Sequence, residues 1–281
     1  MLYVNCNLCG FKENKFLFSV SQFTTALTIV QCKRCGFIYQ NPHPDKTELK
    51  SLYSDEYYSG TTAISYITDF NKIKLISNER FKVIEKIIHP GRLLDIGCHT
   101  GALLSCAQER GWDTYGTDIS SFIVEEAKKA TPNIYTGEIR EINFKEKFFD
   151  LITLFEVIEH LEKPLEDLIQ IHSILKDEGL LIVQTANMCS LRAKIIRPKK
   201  YYYQPHHLSY FTKRTLIKMA EKAGFKCIRI FNGSEIAFLS ELRLFRDSVL
   251  WPRLLLRKLL NGVSFGNFTL NSTIVCYFKK A

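Results

Sequence analysis

No stretch of this 281-residue chain approaches the roughly 18 consecutive apolar residues that would span a bilayer. Its first ten residues, MLYVNCNLCG, lack a basic segment followed by an apolar one, so no leader is expected and the cytoplasm is the expected compartment. There is no low-complexity tract, and no internal repeat beyond one doubled CxxCG turn. Cysteine occurs nine times, an odd count that, without a secretion signal, argues against a disulfide framework. Disorder is excluded by composition: 46% hydrophobic and 24% charged residues suit a substantial core. The length fits one large domain or a medium domain with a small attachment.

Acidic residues are scarce at one end only. Residues 191–281 hold 18 Lys/Arg against 4 Asp/Glu, whereas residues 61–190 hold 14 against 20 and residues 1–60 hold 6 against 5. The formal charge of +9 is therefore concentrated in the final third, which points to an anionic partner for that end.

Four of the cysteines are patterned. CNLCGF and CKRCGF place Cys6, Cys9, Cys32 and Cys35 in two similar turns. Two CxxC turns present four thiolates to one point, the donor set of a tetrahedral zinc site with no open position, so the metal is expected to be structural. The segment between them is rich in β-branched and aromatic residues and predicts strands, completing a zinc ribbon.

Farther along, strand and helix signals alternate. Apolar spacing predicts a helix over about 65–89, ended by Pro90-Gly91. RLLDIG, WDTYGTD, a short segment near 134–135, FFDLITLF and LLIVQT read as strands. Helices are expected over GALLSCAQERG, over SSFIVEEAKKA behind a serine cap, and over KPLEDLIQIHSILKDEG, with Pro164 in its first turn and Gly179 as its stop. TKRTLIKMAEKAGF predicts an amphipathic helix, and KCIRIF and NSTIVCYFK two more strands. Such alternation implies a parallel sheet covered on both faces, with ligands at the carboxyl ends of its strands.

LLDIGCHTG, residues 93–101, is a strand entering a glycine-rich turn. The pattern Asp-x-Gly-x-Gly-x-Gly would put glycine at 99, where a histidine stands. Histidine is among the non-glycine residues enriched at positive φ, so the turn is expected to survive with the side chain directed out of the loop or toward the mouth of the site. Asp118 ends the next strand, where a carboxylate can accept both ribose hydroxyls of an adenosine cofactor; a nicotinamide-binding sheet uses the same device, but its third glycine is absent, with leucine at 104.

Taken in order, LLDIGCHTG, YGTDIS, GEIREINF, FFDLITLFEVIEHLEKP and GLLIVQTAN resemble the motifs of class I S-adenosylmethionine-dependent methyltransferases, from residue 91 to about 187. HHLSYFTKRTLIKMAEKAGF resembles the downstream segment of a subgroup that includes ubiquinone-biosynthesis-like enzymes. The N-terminal CxxCG pairs followed by NPHP resemble a ribbon carried by many bacterial members. The resemblance implies an α/β, Rossmann-like seven-stranded sheet with helices on both faces, preceded by a small zinc ribbon. It divides the chain into a ribbon and linker (1–60) and a methyltransferase domain (61–281), with a basic helical insertion at about 235–261.

By the same resemblance, Asp95, Gly97, Cys98, His99 and Gly101 would surround the methionine moiety of S-adenosyl-L-methionine, with backbone N–H groups near Gly101 facing its carboxylate. Asp118 would hold the ribose, Ile119, Glu138 and Ile139 would bound the adenine, and Phe155 with Glu156 would line the site. His160 and His207 are the candidate bases.

An Asn/Asp-Pro-Pro-aromatic motif after the fourth strand, usual in methylation of exocyclic base amines, is replaced here by LFEVIE. The strand-four Pro-Cys of RNA cytosine-C5 enzymes is also missing. The resemblance, whose ribbon-bearing members are often associated with polysaccharide and secondary-metabolite pathways, implies a small or lipid-linked anionic acceptor, such as a sugar nucleotide or glycan precursor, expected to be bound by Arg192, Arg197, Lys199, Lys200, Tyr202 and Tyr210. An RNA-directed enzyme or RNA-binding protein, using the ribbon and the basic third, is one alternative, and a non-catalytic scaffold another. Arginines and leucines within 235–261 also suit peripheral contact with an anionic membrane.

Overall fold

The computed structural model describes residues 2–21, 26–45, 47–49, 70–190, 203–232 and 273–281. Three short strands open the chain, β1 (Asn14–Val20), β2 (Leu27–Cys32) and β3 (Ile38–Gln40). Helix α1 (Phe70–Ile84) then leads into β4 (Arg92–Ile96), α2 (Ala102–Gln108), β5 (Asp113–Asp118), α3 (Ser121–Ala127) and β6 (Ile134–Thr136). The second half runs β7 (Phe149–Phe155), α4 (Pro164–Ile174), β8 (Leu175–Ala186), β9 (Ser209–Tyr210), α5 (Lys213–Lys222), β10 (Phe225–Asn232) and β11 (Thr273–Lys280).

Seven strands form the main sheet in the order β10-β11-β8-β7-β4-β5-β6. The five strands from β6 to β8 are parallel, while β11 inserts between β8 and β10 antiparallel to both. Neighbouring strand residues point to opposite faces, so each central strand feeds two cores. Leu93, Leu151, Leu180, Ile182 and Val275 pack with α1, α2 and α3 through Phe81, Leu104 and Val124. Leu94, Ile152, Leu181, Val183 and Ile274 pack with α4 and α5 through Leu168, Ile171, Leu216 and Met219. Local chemistry fixes the helix starts. Ser120 Oγ accepts from the Ile123 N–H at 3.4 Å, Thr212 and Thr215 form a reciprocal capping box, and Pro164 occupies the first turn of α4.

Two expectations change. The helix from Pro164 stops at Ile174, not at Gly179, because Leu175 and Leu180 both align with β7, opposite Phe149 and Leu151. Residues 176–179 bulge between those two contacts, and a Cβ on Gly179 would lie 2.7 Å from the Leu175 side chain. Gly179 therefore permits a close approach within a strand. The helix expected over 65–89 is described from Phe70 and ends at Ile84; residues 65–69 lie outside the described residues.

The N-terminal strands form a second sheet, β1-β2-β3-β9, whose last member comes from 170 residues downstream (Ile38 opposite Tyr210, Tyr39 opposite Ser209). Its apolar side is continuous with the main core. Leu8, Val30, Phe37 and Tyr39 share one cluster with Phe211, Leu216 and the strand side chains Leu94 and Ile152. Phe37 lies 5.3 Å from Phe211 between ring centroids, and Lys222 Nζ donates to the Leu8 carbonyl at 2.8 Å. Replacing the fully buried Phe37 by alanine removes a ring from both sheets' shared core. Phe37→Ala should cost about 3–5 kcal/mol of unfolding free energy. Denaturant titration should show that loss in one transition for near- and far-ultraviolet dichroism.

Candidate functional site

The carboxyl ends of β4, β5 and β7 converge on one set of charged groups. The turn after β4 runs through Gly97 (φ 69°), His99 (φ 50°) and Gly101 (φ 74°). At Gly97 a side chain is excluded twice, by this φ and by Val157, whose Cγ2 lies 2.5 Å from where a Cβ would be. His99 adopts the left-handed conformation expected of it. Its half-buried ring is held by desolvation to a pKa of about 4, so it is neutral at pH 7.

His99 also contributes its backbone. Its N–H donates to Asp118 Oδ2 at 3.1 Å, and the Ser120 N–H donates to Oδ1 at 3.1 Å. The carboxylate, 9% exposed, is thereby fixed in orientation across the mouth of β5. Each oxygen keeps a lone pair for a further donor, which suits a pair of ribose hydroxyls. Burial raises the pKa of Asp118, and these backbone bonds oppose the rise.

Asp95, at the end of β4, is more strongly perturbed. Burial pushes its pKa up to about 7, opposed by the Thr153 hydroxyl donating at 2.6 Å and by the charge of Arg80. A buried carboxylate with so little compensation is matched to a cationic ligand. S-adenosyl-L-methionine carries both a sulfonium and an α-ammonium, so the residues present fit this cofactor.

Arg80, Thr153 and Gln184 were not among the residues expected from sequence. Arg80 reaches from α1 to lie 3.8 Å over the Phe155 ring, and its Nη2 donates to Gln184 Oε1 at 3.0 Å. Gln184 Nε2 in turn donates to Glu156 Oε1 at 2.8 Å. Burial lowers the guanidinium to about 10, against the pull of Asp95 and Glu156, and leaves it charged at neutral pH. In the sequence, Arg80 is an ordinary polar helix residue beside core-facing Phe81; only the packing of α1 on the sheet brings it here.

The other expected cofactor residues divide by side-chain position. Ile119 is 47% exposed just beyond β5, an apolar surface available to a ring, whereas Ile139 is buried in the core. Glu138 is tied to Arg140 at 2.8 Å, in a network that includes Asp167. The Cys98 sulfur turns inward, 2.8 Å from where a Cβ on Gly116 would sit, so this residue offers its backbone to the turn.

His160 follows β7 and meets His206 and His207, which precede β9. Ring centroids lie 5.1 Å apart for His160–His206, 4.7 Å for His160–His207 and 4.9 Å for His206–His207. Burial holds His160 well below the usual histidine range, with repulsion from its two neighbours adding to the effect. Tyr210, expected at the acceptor, has its ring 6.5 Å from that of His207, but it is 3% exposed in β9 and packs with Tyr203, Val20 and Ile29. Strand pairing with β3 turns it inward. Arg192, Arg197, Lys199, Lys200 and Tyr202, and the insertion at 235–261, lie outside the described residues.

The four patterned cysteines meet at the far end of the small sheet. Cys6 and Cys35 sulfurs are 3.5 Å apart, as are those of Cys9 and Cys32, and all four lie within 4.8 Å of one another. Tetrahedral zinc with bonds of about 2.3 Å requires sulfur separations of about 3.8 Å, so the cluster can bind such a metal. Gly10 and Gly36 close the two turns by donating to the Cys6 and Cys32 carbonyls at 2.8 and 3.0 Å.

A protein-family model described as a methyltransferase domain matches residues 72–230. The chain is 25% identical over 164 residues to an uncharacterized protein of Methanocaldococcus jannaschii, covering 57% of this chain and 77% of that protein. It is 28% identical over 123 residues to the ubiquinone biosynthesis O-methyltransferase of Coxiella burnetii, covering 41% of this chain and 53% of that enzyme. The chain thus spans about half the length of that relative. Among solved structures, a SAM-dependent methyltransferase from Archaeoglobus fulgidus shares the fold, with a TM-score of 0.51, 20% identity, and coverage of 82% of this chain and 99% of that one.

The raised Asp95 generates a pH dependence. Its carboxylate takes up a proton as pH falls through about 7, and the attraction for a cationic ligand is then lost. Affinity for S-adenosyl-L-methionine should weaken below pH 7, approaching about tenfold per pH unit. Asp95→Asn should bind weakly with a flat profile. Calorimetric titration between pH 5.5 and 8 measures both slopes.

Proposed function

This chain belongs to the methyltransferase domain family, and on that premise we propose that it transfers a methyl group from S-adenosyl-L-methionine to a small or lipid-linked anionic acceptor. A sugar nucleotide or glycan precursor has the required chemistry. The observation that carries this reading is the excess of 18 cationic over 4 anionic side chains in residues 191–281, directly downstream of the strand-end site.

The cofactor, when bound, supplies an electrophilic methyl group on a sulfonium. The chain's own task is to orient the acceptor and hold its proton. In our reading Asp118 accepts from the ribose hydroxyls, Ile119 covers the adenine, and Asp95 faces positive charge. Phe155, braced by Arg80, walls the site. His160 Nδ1 lies 3.1 Å from the His206 carbonyl oxygen; donating its proton there leaves Nε2 as the acceptor for an incoming hydroxyl. His207 is the second candidate for that task. Arg192, Arg197, Lys199 and Lys200 would hold phosphate, and the basic insertion would touch an anionic membrane surface. Among the described residues no helix is long and apolar enough to cross a membrane.

An RNA acceptor is the second reading, favoured by the same basic excess together with the cysteine cluster. A screen of sugar nucleotides, glycolipids and RNA with methyl-labelled cofactor separates the two. Label in RNA alone would overturn the first reading.

Two outcomes follow from the geometry. Asp118→Ala removes a charge-assisted acceptor and should weaken cofactor binding by about 1.5–3 kcal/mol, read by calorimetry. The cysteine cluster should hold one structural zinc per chain, and Cys9→Ser/Cys32→Ser should lose it, with loss of cooperative unfolding. Elemental analysis of the purified protein checks the metal.

A further inference from the structure

The histidines beside the site form a closed triangle that acid–base chemistry does not require. One base needs one imidazole, yet three are gathered here from two distant segments. A ring nitrogen from each of His160, His206 and His207 lies within 4.8 Å of the other two. Backbone bonds hold the two segments together: the Leu208 and Ser209 N–H groups both donate to the Glu159 carbonyl, at 2.9 and 3.1 Å. The His160 N–H donates to the Val157 carbonyl at 2.9 Å, and the His207 N–H to the Gln204 carbonyl at 3.0 Å. The Gln40 N–H donates to the Leu208 carbonyl at 3.0 Å, anchoring the histidine segment to the small sheet.

We infer that His160, His206 and His207 form a second metal site, separate from the four cysteines, which binds a zinc-class divalent cation and leaves a coordination position for an exogenous oxygen ligand. Three imidazoles suit zinc, cobalt(II) or nickel; magnesium and calcium prefer oxygen donors. At metal–nitrogen bonds of about 2.0–2.1 Å, tetrahedral ligand nitrogens stand about 3.4 Å apart. Each histidine has two side-chain torsions, so the observed triangle closes to that size by small ring rotations. The His160 Nδ1 contact with the His206 carbonyl oxygen at 3.1 Å is the kind of outer-shell partner that fixes the tautomer of a metal-binding imidazole and directs the other nitrogen to the ion. Three protein ligands, unlike the four of the cysteine cluster, leave room for a water or an acceptor hydroxyl, whose proton the ion would make easier to remove. With Nε2 on the ion, His160 no longer acts as the direct base, and the ion takes over the activation of the hydroxyl; that role rests on the proposed methyl transfer, whereas the metal site itself does not.

The test counts metal on the full chain, without an acceptor. Wild-type protein is saturated with zinc, dialysed against metal-free buffer and analysed for zinc, with the expectation of two ions per chain. His206→Gln/His207→Gln should retain one. The single variants His206→Gln and His207→Gln should each weaken the second ion by roughly 100-fold or more, which keeps the test open if the double variant does not fold. Cobalt(II) then identifies the ligands. The cysteine cluster should give thiolate charge-transfer absorption, and the second equivalent should add visible d–d bands without more of that absorption. Magnesium in excess should not displace the second ion. One zinc per wild-type chain at saturation, or a second zinc that survives the double substitution, would overturn the proposal. Two ions with no methyl transfer to any acceptor would leave the metal site standing and count against the acceptor reading alone.

Discussion

The pairing of β3 with β9 is the contact on which the rest of the architecture turns. It is short, yet it joins the N-terminal sheet to a strand that begins two residues after His207. A two-residue strand has little stability of its own. It persists because Phe37 and Tyr39 on one side and Phe211 on the other enter the same core as the central strands. The hydrophobic seam therefore does two things at once. It adds β9 to the edge of the small sheet, and it sets the histidine segment against the end of β7. The small sheet that carries the four-cysteine cluster thereby braces the histidine side of the site.

The opposite side of the site is governed by desolvation. Asp95 and Asp118 both end strands in a buried setting; burial raises the cost of ionising each, and the charge of Asp118 adds to that cost at Asp95. The protein offsets this with hydrogen bonds of fixed direction. Two backbone N–H groups fix Asp118, one hydroxyl reaches Asp95, and a single guanidinium from α1 supplies opposite charge. The imbalance that remains is useful in a methyltransferase, whose cofactor is cationic and becomes neutral at sulfur on transfer. On the proposed reading, this bias favours the cationic cofactor over the neutral sulfur product, so it serves binding and product exchange and not the transfer step itself.

His99 shows how a departure from a motif can be absorbed. The turn requires a positive φ, which glycine adopts freely and histidine adopts at modest cost. Its N–H donates to Asp118 just as any residue's would, since the bond uses the backbone. The turn thus keeps its electrostatic function with a different side chain. The added ring occupies a half-buried position in which it stays neutral, so it brings bulk to the site and no charge.

Much of this molecule was legible in its sequence because the signals were local. Alternating strand and helix periodicity gave the succession of elements along the chain, the spacing of Cys6, Cys9, Cys32 and Cys35 pointed to a four-cysteine cluster, and the β4 turn with Asp118 pointed to the strand-end cluster of buried charge. The sequence also marked the basic third without saying where its cations lie. Only the tertiary structure decided what depends on contacts between distant segments. Helix α4 ends at Ile174 because Leu175 is drawn into a strand opposite Phe149, a pairing invisible to helical periodicity. Tyr210 is buried because β9 joins a sheet begun 170 residues earlier. Arg80 joins Asp95 and Phe155 because α1 packs across the sheet, and the histidine triangle exists because two backbone carbonyl–amide contacts bring residue 160 to residues 206 and 207. Local propensity and spacing are written along the chain; the meeting of side chains is set by which apolar faces cover each other, and that is decided only when the whole core closes.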